Sequence, residues 1–182
     1  FNFNPSTKTN TVIHNGVNTG GLAVNESGGL ILGTWEGIQL WNSDDDYRWL
    51  YKDSFEGREI KTNDVTSSPD GGFIVGTGHL DSCSVFKFNP NGTVDIIDEG
   101  LELCNGMGFS PDCRTFYSTD SPKHEIYKWD HDPVLGQFSN KKIFKKIPDD
   151  WGIPDGMTVD SEGYVWAAIW YGGMIVRLDP DG

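Results

Sequence analysis

The 182-residue sequence is short of positive charge, of histidine and of cysteine, and it has no long apolar run. It carries 14 Lys and Arg against 27 Asp and Glu, for a formal charge of −13. A field of that sign repels phosphate backbones and anionic lipid surfaces, so neither nucleic acid nor membrane is an expected partner. No apolar stretch nears the ~18 residues of a membrane span, and no signal peptide opens the sequence. Cys83, Cys104 and Cys113 lack C-x-x-C spacing. Their odd number argues against a disulfide framework, and reduced, buried thiols are expected. That leans toward a cytoplasmic location, but a sequence cut at its N-terminus would have lost any signal, so a secreted or periplasmic one stays open. His14, His79, His124 and His131 show no zinc-ligand pairing and read as surface or turn residues. There is no Gly-x-Ser-x-Gly elbow and no phosphate loop. Apolar residues at helical spacing never last beyond a turn or two, which removes helices as the main element.

What is abundant is glycine, with 23 residues, and aromatic side chains, at 13 %. Glycine serves tight turns and aromatics fit half-buried pleated faces, so the chain is expected to be all-β. Four segments align without a gap over about ten residues: GGLAVNESGG from Gly20, NDVTSSPDGG from Asn63, NGMGFSPDCR from Asn105 and DGMTVDSEGY from Asp155. A repeat of that length is one blade of a β-propeller, a four-stranded antiparallel sheet. Each repeat reads as strand, turn, strand, with Ser-Pro-Asp as a turn signal and Gly28–Gly29 and Gly71–Gly72 supplying positive φ. Third strands are expected at Ile38–Trp41, Val85–Phe88, Ile126–Trp129 and Ile175–Leu178, alternating apolar and polar. More polar fourth strands follow at Arg48–Lys52, Thr93–Ile97 and Lys142–Lys146, guarding the outer edge.

The organisation expected is one β-propeller arc of about four to five blades. The back half of one blade occupies 1–19, whole blades about 20–62, 63–104 and 105–154, and a partial blade 155–182. In the first half-blade, FNFNP at Phe1–Pro5 ends a third strand and Thr11–His14 forms the fourth. An open arc leaves two apolar faces uncovered, and residues missing at both ends are the expected explanation.

Each repeat opens just before its innermost strand, a place that faces the mouth of a propeller's central channel. Asn63, Asn105 and Asp155 stand there, with Gly20 in the first repeat. Two amide oxygens and a carboxylate converging on one axis suit a hard cation such as Ca²⁺ or Mg²⁺. Asn-Gly and Asp-Gly are also hairpin signals, so turns at Asn105 and Asp155 are the competing reading. Asp44-Asp45-Asp46 reads as a solvated turn between outer strands. Trp35, Trp166 and Trp170 are expected in the core or the channel lining, and Trp170 with Tyr171 would stack on a sugar ring if they reach the channel.

Several motifs together resemble the SMP-30/gluconolactonase/regucalcin (luciferin-regenerating-enzyme-like) family. They are Lys61-Thr-Asn63-Asp64 with Pro69-Asp-Gly, Asn105-Gly106-Met-x-Phe-Ser-Pro-Asp with Tyr117-x-x-Asp120-Ser121, and Pro154-Asp155-Gly156 with Trp166 and Val176-Arg-Leu-Asp-Pro. The resemblance implies a six-bladed propeller with one divalent cation at the channel mouth, Ca²⁺ foremost and Zn²⁺ or Mg²⁺ as alternatives. It implies Asn105 and Asp155 as metal ligands, Asn63 as a residue touching substrate or metal, and Lys61 standing where many members have Arg. A lysine lacks arginine's planar two-pronged contact. The family's Glu-Gly-Pro carboxylate has no counterpart here, and Glu26 sits on a turn and does not replace it.

The implied activity is metal-dependent hydrolysis of a small-molecule sugar lactone. Asp155 is the expected catalytic base, and Asn63 and Lys61 are the expected substrate-orienting groups. A phosphotriesterase or aryl-esterase using the same site, and a calcium-binding or interaction propeller without catalysis, are the alternatives. With Asp155 alone charged among the inferred ligands, this stretch by itself is expected to bind a cation poorly and to be inactive.

Overall fold

A computed structural model describes residues 2–14, 16 and 18–182. Phe1, the start of the FNFNP segment, lies outside them. The first element is a hairpin of β1 (Asn2–Asn4) and β2 (Thr9–Thr11). Its return strand precedes the expected Thr11–His14, because a four-residue turn at 5–8 lets pairing begin at Thr9. A first four-stranded sheet contains β3 (Thr19–Val24), β4 (Leu30–Thr34), β5 (Gly37–Ser43) and β6 (Asp46–Lys52). After a short hairpin of β7 (Ser54–Phe55) and β8 (Arg58–Glu59), a second sheet contains β9 (Thr62–Ser67), β10 (Phe73–Thr77), β11 (Cys83–Phe88) and β12 (Val94–Leu101). The third contains β13 (Cys104–Phe109), β14 (Thr115–Asp120), β15 (Glu125–Asp132) and β16 (Gln137–Lys146). A 3-10 turn at Asp149–Trp151 leads to a three-stranded sheet of β17 (Ile153–Val159), β18 (Val165–Trp170) and β19 (Met174–Leu178). Each sheet is an antiparallel meander with neighbours in chain order, so the protein is an all-β arc of propeller blades.

The repeated turn has one construction in every blade. An N–H three residues on donates to the carbonyl of Asn25, Ser68, Ser110 or Asp160, from Gly28, Gly71, Cys113 and Gly163 respectively, at 2.8–3.1 Å. All four donors have positive φ. Glycine takes that conformation freely, whereas Cys113 adopts it at φ 58° against the usual steric preference. Gly72, expected to share the left-handed role, does not have it.

Side chains between consecutive blades form the core. Ala23, Ile31, Ile38, Val65, Val75 and Phe86 pack between the first and second sheets. Ile74, Val85, Met107, Phe116 and Trp129 do so between the second and third. Tyr117, Ile126, Val165, Ala167 and Ile169 fill the next interface. Each fully buried side chain of this size contributes about 1.5–3 kcal/mol relative to exposure. The inner strands lie side by side in the order β3, β9, β13, β17. Backbones approach so closely there that a Cβ on Gly21 would come within 2.5 Å of the Val65 nitrogen.

Three expectations change. β11 is buried along its whole length rather than alternating, and its polar Lys87 is 2 % exposed. The cause is packing on both faces, with the lysine charge met by Asp70. His131 is buried rather than superficial, its Nδ1 2.6 Å from the Cys113 carbonyl and its ring against Phe109 and Phe138. Trp35, Trp166 and Trp170, expected in the core or the channel lining, are exposed at 48 %, 39 % and 53 %, which narrows that expectation to the lining. Trp166 and Trp170 lie on the β18 face opposite the one packed on the third sheet. Leu22 and Val24 are likewise exposed on β3, at the other end of the arc.

Cys83 and Cys104 are buried free thiols and Cys113 is half-buried. The Asp44–Asp46 segment forms the β5–β6 corner, where Asp44 accepts Trp41 Nε1 at 3.2 Å and lies 2.5 Å from His14 Nδ1.

Candidate functional site

All four inner strands break register at the same place. In β3 the pairing skips between Thr19 and Gly21, in β9 between Thr62 and Asp64, in β13 between Asn105 and Met107, and in β17 between Pro154 and Met157. A bulge bends the strand and re-aims the side chains beside it. Asn105 and Asp155 therefore sit in bulged strands rather than at hairpin tips, although their Asn-Gly and Asp-Gly sequences resemble turn signals.

The bulged positions are tied across blades. Asn63 Nδ2 donates to the Cys104 carbonyl at 2.9 Å, which brings Asn63 beside the strand that carries Asn105. Asn105 Nδ2 donates to Ser121 Oγ at 3.1 Å, and Ser121 Oγ donates to the Pro154 carbonyl at 2.6 Å, one residue from Asp155. A Cβ on Gly106 would lie 2.5 Å from the Asp155 carbonyl, so that glycine lets β13 approach β17. Because the Asn63 NH₂ group is engaged by the next blade and the Asn105 NH₂ group by Ser121 of its own blade, the free end of each asparagine is its oxygen.

Asp64 is a residue the sequence reading used only as part of a motif. It stands where the third and fourth repeats have glycine, and that departure was the available signal. Burial pushes its carboxyl up to about 6, against the Val65 N–H bond that lowers it, and the nearby Asp155 charge pushes it further up. Asp64 and Asp155, two blades apart in sequence, thus share one electrostatic neighbourhood. Since the unfolded carboxyl titrates near 3.9, the folded chain keeps a proton between about pH 4 and 6 that the unfolded chain has lost. Stability from this group is present at pH 4 and falls as pH rises through 6. Asp64→Asn should therefore raise metal-free stability at pH 7 by about 2 kcal/mol and leave it nearly unchanged at pH 4. Urea unfolding at the two pH values measures this, and an equal shift at both would contradict it.

Lys61 meets an aromatic ring of the preceding blade. Its ammonium lies 4.7 Å from the ring centre of Trp35 on the preceding blade, and Trp35 also neighbours His79 at 5.3 Å. Trp35, His79 and Asn63 line one cleft together with Gly20 and Leu22. Trp170 and Tyr171 stack on each other at 4.2 Å, next to the Ile153–Trp170 pair two residues before Asp155.

Among the described residues no three His, Cys, Asp or Glu side chains form a metal cluster. The candidate donors are the amide oxygens of Asn63 and Asn105 and the carboxylates of Asp155 and Asp64. That all-oxygen set, in which the Asp155 charge raises the cost of ionising Asp64, suits a hard divalent cation and lacks the nitrogen and sulfur that favour zinc.

The model of the SMP-30/gluconolactonase/LRE-like region matches residues 1–182. Pentonolactonase XacC of Haloferax volcanii is 38% identical over 122 residues, covering 66% of this chain and 42% of that protein. Regucalcin of Xenopus laevis is 29% identical over 189 residues, covering 98% of this chain and 63% of that protein. Among solved structures, luciferin-regenerating enzyme superposes with a TM-score of 0.85 at 20% identity, over 98% of this chain and 64% of that one. The chain thus spans from under half to just under two thirds of these proteins' lengths. With its match running from the first residue to the last, the chain belongs to the SMP-30/gluconolactonase/LRE-like family.

Proposed function

We propose that the protein is a metal-dependent hydrolase of a sugar lactone, with a divalent cation, Ca²⁺ foremost, held by Asn105, Asp155 and Asn63. The observation that carries this reading is the anchoring of both asparagine NH₂ groups, Asn63 on the next blade and Asn105 on Ser121 of its own, which leaves their oxygens as the ends available to a cation, together with the Asp155 charge acting on Asp64. Kinship with a pentonolactonase supports the substrate class. When bound, such a cation supplies Lewis-acid polarisation of the lactone carbonyl.

The chain's own groups do the rest. Asp155 faces the substrate side as a carboxylate and takes a proton from the attacking water. Asp64 holds the second negative charge of the site close to Asp155. Asn63 orients a substrate hydroxyl or carbonyl, and Lys61, poised over Trp35, brings positive charge to the same rim. The bond that breaks is the lactone C–O bond, and the product is the open hydroxy acid.

The test is turnover by the full-length protein of gluconolactone, a pentonolactone and an aryl phosphotriester, each with CaCl₂, with ZnCl₂ and after chelation. Lactone opening that requires CaCl₂ and vanishes on chelation is expected. Preference for the phosphotriester would move the assignment to an esterase of the same site, and cation binding without turnover of any substrate would make the protein a binding propeller.

A further inference from the structure

We propose that Ser121 is a positioning residue that fixes which end of the Asn105 amide faces the channel. Ser121 is 1 % exposed, and its backbone is held at both ends, its N–H donating to the Leu103 carbonyl at 3.1 Å and its carbonyl accepting from His124 N–H at 2.9 Å. Its neighbour Asp120 accepts the N–H groups of Glu102 and Leu103, clamping the segment that leads into Asn105.

The Ser121 hydroxyl lies 2.6 Å from the Pro154 carbonyl. That carbonyl stands at the register break of β17, so a side-chain donor meets it there. A carbonyl can only accept, so the hydroxyl proton is committed to Pro154 and the oxygen lone pairs are what remain for Asn105. An amide oxygen pointed at those lone pairs would be repelled; the NH₂ end is attracted and bonds at 3.1 Å. Asn105 is thereby locked with Oδ1 outward, the end a hard cation takes. The same hydroxyl ties the strand of Asn105 to the backbone beside Asp155, so it sets the spacing of two of the inferred ligands. Its consequence for cation binding rests on the reading given under Proposed function; the locking of the amide does not.

The experiment separates the two in the full-length protein. Nitrogen-15 NMR of the metal-free protein, with the Asn105 side-chain signal assigned by its loss in Asn105→Asp, should show Nδ2 protons slow to exchange and close to the Ser121 methylene. In Ser121→Ala those protons should exchange freely. Ser118→Ala removes an equally buried hydroxyl that accepts Trp129 Nε1. It should lower stability without moving the Asn105 signal. Titration with CaCl₂ should then show affinity about 10- to 100-fold weaker in Ser121→Ala and unchanged in Ser118→Ala, the usual effect of losing a group that orients a ligand.

Freely exchanging Nδ2 protons in the unsubstituted protein or an Asn105 signal indifferent to Ser121→Ala would overturn the proposal, and measurable but equal CaCl₂ affinities in the two proteins would overturn its consequence for cation binding. An Asn105 signal that responds as expected in a protein that binds no CaCl₂ would uphold the positioning role and remove the cation reading instead.

Discussion

Replacing Asp155 by Asn is expected to lower lactone turnover by at least about a thousandfold, within the range that a positioned base supplies, while the metal-free protein becomes no less stable. The two effects have one cause. Asp155 is half-buried, and its charge pushes up the Asp64 carboxyl at the site. Neutralising it relieves that repulsion, so the folded state gains what the site loses. Asparagine matches the shape and keeps one oxygen, so the strand and its bulge should persist. Steady-state hydrolysis of gluconolactone by the full-length protein, paired with thermal melting after chelation, checks both halves. Turnover within tenfold of the unsubstituted protein would remove Asp155 from the chemistry. Lost turnover together with a much lower melting temperature would mean that the substitution acts on folding. This opposition between activity and stability is expected wherever like charges are gathered for function.

The blade period was legible because it is written in local chemistry. Each turn at Asn25, Ser68, Ser110 and Asp160 closes its bond within three residues, so the signal and the structure it encodes lie in one short window. The strands follow from the same windows, and the outer ones are only longer than expected: β12 runs on to Leu101 and β16 starts at Gln137.

Orientation at the site was not legible in this way. The partner that sets the Asn105 amide is 16 residues away, and the carbonyl that sets that partner is a further 33 residues on. Neither separation leaves a periodic trace. The motif Tyr117-x-x-Asp120-Ser121 was visible as a resemblance, but its physical content emerges only where three strands meet. Asp120 holds backbone N–H groups of the adjoining loop, and Ser121 bridges two blades.

Asp64 shows the converse. Its identity was plain in the sequence, yet its proximity to Asp155 depends on ring geometry across the intervening blade. Likewise Lys61 was expected to face substrate, and its cation–aromatic contact with Trp35 arises from a residue one blade earlier.

Lys87 was read as the polar member of an alternating strand, and its actual setting leads to the largest stability effect expected for the molecule. The ammonium is buried between the second and third blades at the far end of β9 from Asn63. It donates to Asp70 in the β9–β10 turn and to the Gly136 carbonyl at 3.1 Å in the β15–β16 turn, with the Phe138 ring centre 5.8 Å away. Burial works against ionisation of Asp70, but hydrogen bonds from Lys87 and the Gly72 N–H outweigh it and bring the carboxyl below its usual range. The pair's contribution is therefore complete above about pH 4 and is lost only as pH falls through the lowered value.

Asp70→Ala strands a buried cation with one carbonyl and should cost about 3–5 kcal/mol at pH 7. Lys87→Met leaves instead a carboxylate that is partly open to water, and should cost less. The double substitution Asp70→Ala with Lys87→Met removes both charges and fills the space with an apolar side chain of similar length. It should recover most of the loss, because desolvating the two ions offsets much of their mutual attraction. Urea unfolding of the four proteins measures the cycle. Additive losses in the double variant would mean that the two groups act independently and that the buried ion pair does not link these blades.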